Sequence, residues 1–510
     1  MTRLAAKVDR EPGKNCVHGP NSPKTPTPVH AKSAVSKLYQ RVNMLPLQLS
    51  SRHHFLKFFS HSTFRTRIPR QGMGTLKVVS GQKPREIAAR VLIRRASGVY
   101  VEDLLEQALA VESLSPADRR LCQELVYGVV RWRTTLDWLI DRKTQNRQQK
   151  PLLKILLRLG LYQLFWLDRI PEHAAVHEMV ELARHLGFGQ QSGFVNALLR
   201  GYLREKAETR QALQALKVSD PPTGFSHPQW AVARWLQRWG EPRTRQLLEW
   251  NNTPPKTFAR VNSLRSDPGK LLDLWRDEGV DYDFFRRDWL EENLVFELRN
   301  HPPLSRLPSM QQGFFYVQDP STLLAVQKLD PHPGESVLDL CAAPGGKLCY
   351  IAQKMANQGR LTANDSNPDR LKLVRQNCAR LGVKLADITA SVGQSGSPPA
   401  FDRILIDAPC SNTGVMRRRV DLRWRVRLEE LNDLRQTQLR LLSQASALLK
   451  SGGVLVYSTC SLEPEENAEL VRAFLQENHE FTLANEQELL PFVDGVDGAY
   501  VARLEKSPSR

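Results

Sequence analysis

The sequence predicts an α/β protein: a doubly wound sheet over residues 331–510, preceded by an all-helical domain over 82–205 and a small α+β connector over 206–330. Three observations predict it. First, Val337–Leu340, Leu361–Asn364, Ile404–Ile406 and Val454–Tyr457 are short β-branched or Leu-rich runs. They alternate with helical stretches such as Asp369–Leu381 and Leu428–Leu449, the order of a parallel βα sheet. Second, apolar residues repeat at a period of 3.6 through 82–205, opened by Ile87, Val91 and Leu92 and punctuated by Gly98, Ser115-Pro116 and Ile170-Pro171. Third, the connector reads as a helix from Ser226 to Trp250 stopped by Pro254-Pro255. A strand at Phe258–Asn262, a helix at Pro268–Glu278 and strands near Leu294–Leu298 and Phe314–Val317 follow. That order suggests an RRM-like unit, without an RNP-type aromatic string.

Composition bounds the rest. At 510 residues about three domains are expected. No run of 18 apolar residues exists, so no transmembrane helix and no membrane partner are expected. The seven cysteines make no CxxC pair and have no His cluster beside them, so no metal site is expected. Their spacing fits a reducing compartment with a working thiol rather than a disulfide framework. The formal charge is +18, which points to a polyanion partner. Residues 1–80 hold 14 Lys and Arg against Asp9 and Glu11, so twelve of the eighteen charges sit there. This Pro-, Ser- and Lys-rich stretch reads as a disordered basic tail. It is read as an RNA arm, a targeting segment, or sequence upstream of a working start at Met73.

Within the helical domain, Leu125-Val-Tyr-Gly-Val-Val-Arg131, Leu157-Arg-Leu-Gly-Leu-Tyr-Gln163 and Phe194-Val-Asn-Ala-Leu-Leu-Arg200 each set polar residues in an apolar helix. Two readings stay open: cross-links inside a bundle, or a surface facing RNA. With Arg169-Ile-Pro-Glu-His-Ala-Ala-Val176, these phrases resemble the NusB-like helical RNA-binding domain.

Three strand-to-loop junctions carry the chemistry, and in an open parallel sheet such junctions face one crevice. The first is the loop Cys341, Ala342, Ala343, Pro344, Gly345, Gly346, Lys347, which follows a strand and opens a helix. Small residues let a ligand approach the backbone, and the helix start offers amide donors. It matches neither GxxxxGK[ST] nor GxGxxG, so a nucleoside triphosphate or a nicotinamide dinucleotide is disfavoured. The next strand ends at Asn364-Asp365, where a carboxylate can accept hydrogen bonds from ribose hydroxyls. A loop and a ribose carboxylate without a phosphate motif point to S-adenosyl-L-methionine. The second junction is Asp407-Ala-Pro-Cys410, with an Asp suited to a base edge that offers N–H groups. The third is Thr459-Cys460-Ser461, followed by Glu463-Pro-Glu-Glu-Asn467. A thiol at a helix start gains thiolate character and becomes a nucleophile.

Carbon 5 of cytosine is a poor nucleophile until a thiolate adds at carbon 6 and makes an enamine. An acid near N3 aids attack, and a further group aids breakdown of the adduct. Cys460, Asp407 and Cys410 fit these jobs. The motifs AAPGGK, DAPCS and STCS…EEN together resemble the RNA cytosine-C5 methyltransferase family over 254–505. The match takes in Arg260-Val-Asn262, Val317-Gln-Asp-Pro-Ser321 and Asp497-Gly-Ala-Tyr-Val-Ala-Arg503. With the helical front, the folded chain resembles the RsmB-type 16S rRNA members of that family.

The resemblance implies a Rossmann-like methyltransferase domain, with Cys460 as nucleophile and Cys410 assisting product release. It implies that Asp407 and Lys347 hold the cytosine edge and reacting groups, and that Cys341 to Lys347, Asp365 and Asp407 hold the cofactor. It implies a 16S rRNA substrate, a cytoplasmic setting and a monomer. Arg417, Arg418 and Arg423, in Met416-Arg-Arg-Arg-Val-Asp-Leu-Arg-Trp424, are expected to grip RNA phosphates beside a stacking Trp, as are Arg260 and Asn262. One departure is visible: Val392 stands where the family carries an acidic residue near the adenine, and Asp387 is out of register. The same chemistry on tRNA and a non-catalytic RNA-binding factor are the competing readings.

Overall fold

The structure is a computed structural model and describes residues 83–111, 114–392 and 400–508. The basic segment 1–80, with the expectations attached to it, lies outside the described residues.

The front of the described chain is helical, through Lys83–Arg94, Val101–Val111, Pro116–Arg131, Arg133–Thr144, Pro151–Trp166, Glu172–His185 and Ser192–Arg204. Ser115 caps the third, its hydroxyl accepting from Asp118 N at 3.1 Å, and Pro116 fixes the first turn. The glycines inside the first two apolar phrases mark where helices touch. A Cβ on Gly128 would lie 1.9 Å from the Tyr162 ring, and one on Gly160 would lie 2.7 Å from Leu199. The polar residues of the second phrase cross-link the bundle, whereas among the described residues Arg200 of the third bonds only Asn196 of its own exposed face. Tyr162 donates to Glu124 at 2.5 Å, Arg85 to Gln163 at 2.8 Å, and Arg158 to Asp137 at 2.7 Å.

In the connector, helix Gln229–Asn251 is kinked at Gly240, where φ is +72° and Pro242 follows. Strands β1 (Thr257–Val261), β2 (Asp281–Phe284), β3 (Val295–Asn300) and β4 (Phe315–Val317) form an antiparallel sheet in the order β2-β3-β1-β4. Helix Pro268–Glu278 covers it, with the buried Trp275 edge-on to Phe296 at 5.7 Å and Phe315 at 5.3 Å.

The remaining strands are β5 (Ser336–Asp339), β6 (Arg360–Asn364), β7 (Ala386–Thr389), β8 (Phe401–Asp407), β9 (Leu449–Thr459), β10 (Phe481–Leu489) and β11 (Ala499–Lys506). Their order is β10-β11-β9-β8-β5-β6-β7. The five from β9 to β7 run parallel, and β10 and β11 close the edge as an antiparallel hairpin. From β5 the chain moves outward through β6 and β7, then returns to place β8 on the other side. That makes β5/β8 the switch point where the crevice of such a sheet opens. Helices Gly346–Lys354, Pro368–Leu381 and Glu430–Leu448 connect the parallel strands. The fold is thus a Rossmann-like domain behind a helical front and a small α+β unit.

Candidate active site

The parallel register aligns the strand ends. Asp339 on β5 is level with Leu405 on β8 and Ala363 on β6, and Asp407 on β8 is level with Ser458 on β9. The loops after β5, β6, β8 and β9 therefore share one rim.

After β5, Gly345 adopts φ +102°, a conformation glycine allows, and opens the helix that carries Lys347. Gly346 lets Tyr316 approach; a Cβ there would lie 2.9 Å from that ring. The loop is braced from β6. Ala342 N donates to Asn364 O at 2.8 Å and Ala343 N to Asp365 Oδ2 at 3.3 Å, while Arg370 donates to Ala343 O at 2.7 Å. Asp365 thus stands against the 341–347 loop, and its Oδ1 accepts from Asn367 N at 3.0 Å. Asp339, at the end of β5, is buried with both carboxyl oxygens unpartnered. Burial, together with the charge of Asp407, pushes its carboxyl up to about 8.

Lys347 reaches across the rim to Asp407, Nζ to Oδ2 at 2.6 Å, while Ser458 Oγ donates to Asp407 Oδ1 at 3.2 Å. The Asp407 side chain stays 35% exposed, so it still faces open space. Burial pulls the Lys347 ammonium down, but the charge and hydrogen bond of Asp407 and the charge of Cys460 outweigh it and raise its pKa.

The two thiols meet, with Cys410 Sγ 3.4 Å from Cys460 Sγ. Cys410 is buried and Cys460 is partly open. The hydrogen bond to Cys460, with burial, pushes the Cys410 thiol well above its usual range. The loops carrying them are sewn together by backbone: Gly414 N donates to Cys460 O at 2.9 Å, and Gly498 N to Gly414 O at 2.9 Å. A Cβ on Gly414 would lie 2.8 Å from Cys460 O, so only glycine fits.

Three residues of this site escaped the sequence reading, besides the orphaned Asp339. Asn412, in the left-handed region at φ +57°, accepts from Cys460 Sγ at 3.1 Å and donates to Cys410 O at 2.5 Å. Glu466 is buried and yokes the serines that follow each cysteine. Its Oε1 accepts from Ser411 N at 2.9 Å, and its Oε2 from the hydroxyls of Ser411 and Ser461, each at 2.5 Å. Gln438 completes the yoke, donating to Glu466 Oε1 and Pro409 O, both at 2.9 Å. A Ser after each Cys was the available signal.

The structure corrects three expectations. Cys460 is not at a helix start, because only the 3₁₀ turn Pro464–Glu466 follows closely. Asn467 then breaks the backbone at φ −116°, ψ −114°, so that helix Ala468–Glu477 begins later. The positive charge near Cys460 is Lys347 instead. Of the arginine segment, only Arg419 is exposed, and the three arginines expected to grip phosphates are turned to protein instead. Arg423 is fully buried and donates to Arg131 O, Ser226 O, Asn252 Oδ1 and Asn251 O at 2.9–3.1 Å. Arg417 is buried over the Trp250 ring at 4.0 Å, and Trp424 donates to Val130 O at 2.7 Å. Arg418 is engaged at every nitrogen, by Asp497 at 2.5 Å, Asp319 at 2.6 Å and Lys256 O at 3.0 Å. Asp421 between them is buried and accepts from Arg95 at 2.5 Å and Val101 N at 3.0 Å. This segment bolts the Cys410 loop to the helical front. Arg260 and Asn262 are also fully buried. Arg260 donates to Gln318 at 2.6 Å and Gly346 O at 3.0 Å, and Asn262 to Gly313 O at 2.7 Å and Leu381 O at 2.8 Å. Arg260 thus joins the connector to the glycine loop, and Asn262 joins it to the end of helix Pro368–Leu381. Val392 is half-buried against the sheet's helical layer, and Asp387 is exposed on β7.

Known proteins share this architecture. The family described as 16S rRNA methyltransferase RsmB/F matches residues 326–505, the NusB family 82–204, and the RsmF/B-like ferredoxin-like domain 227–296. The Bacillus subtilis protein named "Probable ribosomal RNA small subunit methyltransferase B" is 34% identical over 445 residues, which is 83% of this chain and 98% of that one. The Klebsiella pneumoniae ribosomal RNA small subunit methyltransferase B is 34% identical over 81% of this chain and 98% of its own. The crystal structure of a methyltransferase homolog protein from Pyrococcus horikoshii superposes with a TM-score of 0.50 at 31% identity, covering 56% of this chain and 98% of that one. Agreement that runs almost end to end through such relatives, over the same three domains, means that the chain belongs to the ribosomal RNA small subunit methyltransferase B family.

Proposed function

We propose that this protein methylates carbon 5 of a cytosine in small-subunit (16S) rRNA through a transient bond between Cys460 and carbon 6 of the ring. The observation that carries the reading is the Cys410–Cys460 pair at 3.4 Å beside the Lys347–Asp407 ion pair at 2.6 Å. The names borne by the relatives support rRNA as substrate.

The residues around the 341–347 loop suit S-adenosylmethionine. Gly345 and Gly346 leave the backbone open, Asp365 faces the loop, and the orphaned oxygens of Asp339 suit a cationic ammonium group. When bound, S-adenosylmethionine supplies the methyl group as an electrophile.

The chain's own residues do the rest. Cys460, the more open thiol, releases to solvent the proton it points at Asn412 Oδ1 and attacks as thiolate with the Lys347 ammonium nearby. Its electron pair forms the S–C6 bond, and the ring π electrons move toward C5 and N3. Asp407 accepts from the N–H groups of the cytosine edge, and Lys347 fixes its direction. Cys410 keeps its proton in the resting site, because its hydrogen bond to Cys460 and burial oppose ionisation. Once Cys460 is a thioether, the first of these causes is gone; Cys410 then yields its proton to solvent and, as thiolate, takes the C5 proton to become a thiol again. The C5–H electrons then rebuild the C5–C6 double bond, and the C6–S pair returns to Cys460.

The test is incubation of the full chain with labelled S-adenosylmethionine and unmodified small-subunit rRNA, followed by nucleoside analysis. The expected product is 5-methylcytosine. Methyl incorporation into another base, or none, would contradict the reading.

A further inference from the structure

With Arg417, Arg423 and Arg260 buried and Arg418 tied at every nitrogen to protein acceptors, these residues leave phosphate charge to be met elsewhere, and one open groove has the chemistry. It is lined by Trp250, Lys256, Phe284, Arg286, Arg287 and Gly495, with a volume of about 490 Å³. Phe284 ends the edge strand β2 and is 50% exposed. Arg286 lies over its ring at 5.6 Å with a side chain 69% exposed, and its nearest carboxylate is 4.0 Å away on the exposed Glu292. Arg287 lies over Phe285 at 4.5 Å and is tied to Asp494 O at 2.9 and 3.0 Å. The lone acid of the lining, Glu297, is already shared between Lys256 at 2.9 Å and Arg299 at 2.7 Å.

The groove connects to the thiols. Gly495 on its wall is three residues from Gly498, whose N–H bonds Gly414 O, and Gly414 N–H bonds Cys460 O. Arg418 ties Lys256 O on the groove's other side to Asp497 of the same turn.

We infer that this groove holds the single-stranded RNA flanking the target cytosine, with a base stacked on Phe284 and phosphates on Lys256 and Arg286. The inference rests on the proposal above that the substrate is RNA. An exposed ring beside cations is the pairing that unpaired nucleotides use, and the target base must leave its stack to reach a crevice.

The experiment measures binding of the full-length protein to an unmodified single-stranded small-subunit rRNA fragment across a salt series, alongside methyl transfer. Arg286→Ala should weaken binding and lower the slope of log K against log salt by about 0.7. Phe284→Ala should raise Kd by about ten-fold with the slope unchanged. Arg286→Lys should keep the wild-type slope. Both side chains are at least half exposed, so thermal melts should match wild type. In methyl transfer the losses should fall on KM for RNA rather than on kcat. Unchanged Kd and slope in both variants would overturn the inference and leave the groove to another partner. Failure of the wild-type protein to bind the fragment would overturn it too. If the wild type binds RNA but makes no 5-methylcytosine, the proposed function fails while the variant Kd values still decide the groove.

Discussion

Glu466→Gln should slow methyl transfer about 100-fold while leaving the fold intact. Glu466 is buried and accepts four hydrogen bonds, from Ser411 N, Ser411 Oγ, Ser461 Oγ and Gln438 Nε2, at 2.5–2.9 Å. Through the two serines it fixes the residue after each of Cys410 and Cys460. Replacing one carboxyl oxygen with an amide nitrogen turns the shared acceptor of two hydroxyls into a donor. The hydroxyls lie 2.9 Å apart and can turn toward each other, so the cost is about 2–3 kcal/mol rather than the sum of four bonds. A domain with stability on the order of 5–15 kcal/mol survives that. The thiols do not keep their 3.4 Å spacing, and a misplacement of about 1 Å at a reacting group costs on the order of 100-fold in rate. Steady-state methylation of an rRNA fragment should therefore show kcat falling with KM for RNA within about three-fold of wild type. Cofactor affinity, measured by calorimetry, should be unchanged. A variant with wild-type kcat and a lowered melting temperature would reduce Glu466 to a structural part and refute the reasoning.

Asp339 gives the chain a pH signature. Its carboxyl is pushed up to about 8 in the folded state from 3.8, so between these values the folded protein holds a proton that the unfolded chain has released, and stability falls as pH rises through that window. Asp339→Asn removes the loss, so cofactor-free protein should gain on the order of 4 kcal/mol over wild type at pH 7 and little near pH 4 by urea unfolding; a pH-independent difference would be contrary. Arg423→Ala strips the donor from four acceptors, one on the helical front and three on the connector, three of them buried, and should lower unfolding stability by about 4 kcal/mol, with Arg423→Lys recovering less than half. A loss under about 1 kcal/mol would mean that the joint does not depend on this side chain.

What the sequence revealed and what it hid follow from the same physics. The strands β5, β6, β8 and β9 were legible because central parallel strands are buried on both faces and carry apolar runs, those of β5, β6 and β8 ending in turns marked by Gly, Pro or Asp. The fold class and the three junctions came from that signal. Strand β2 was not legible because Asp281-Tyr-Asp-Phe284 is an exposed edge. Strand β10 was hidden likewise, since Thr482–Gln487 faces solvent at most positions. The arginine segment misled because a guanidinium looks the same in sequence whether it meets phosphate or a carbonyl. The partners of Arg423 are backbone oxygens of residues 131, 226 and 251 and one Asn side chain, far away in the chain. The yoke at Glu466 was hidden for a similar reason: its motif was visible, but its contacts depend on how two loops 50 residues apart fold onto each other.

The central claim is the division of labour between two sulfur atoms, and a denaturing gel of protein with labelled rRNA and S-adenosylmethionine tests it directly. Cys410→Ala should accumulate a protein–RNA adduct that survives denaturation, because the bond at Cys460 forms but is not released, and peptide mass spectrometry should find the nucleotide on Cys460. Cys460→Ala should give neither adduct nor 5-methylcytosine. An adduct on Cys410, or full turnover by Cys460→Ala, would contradict the account.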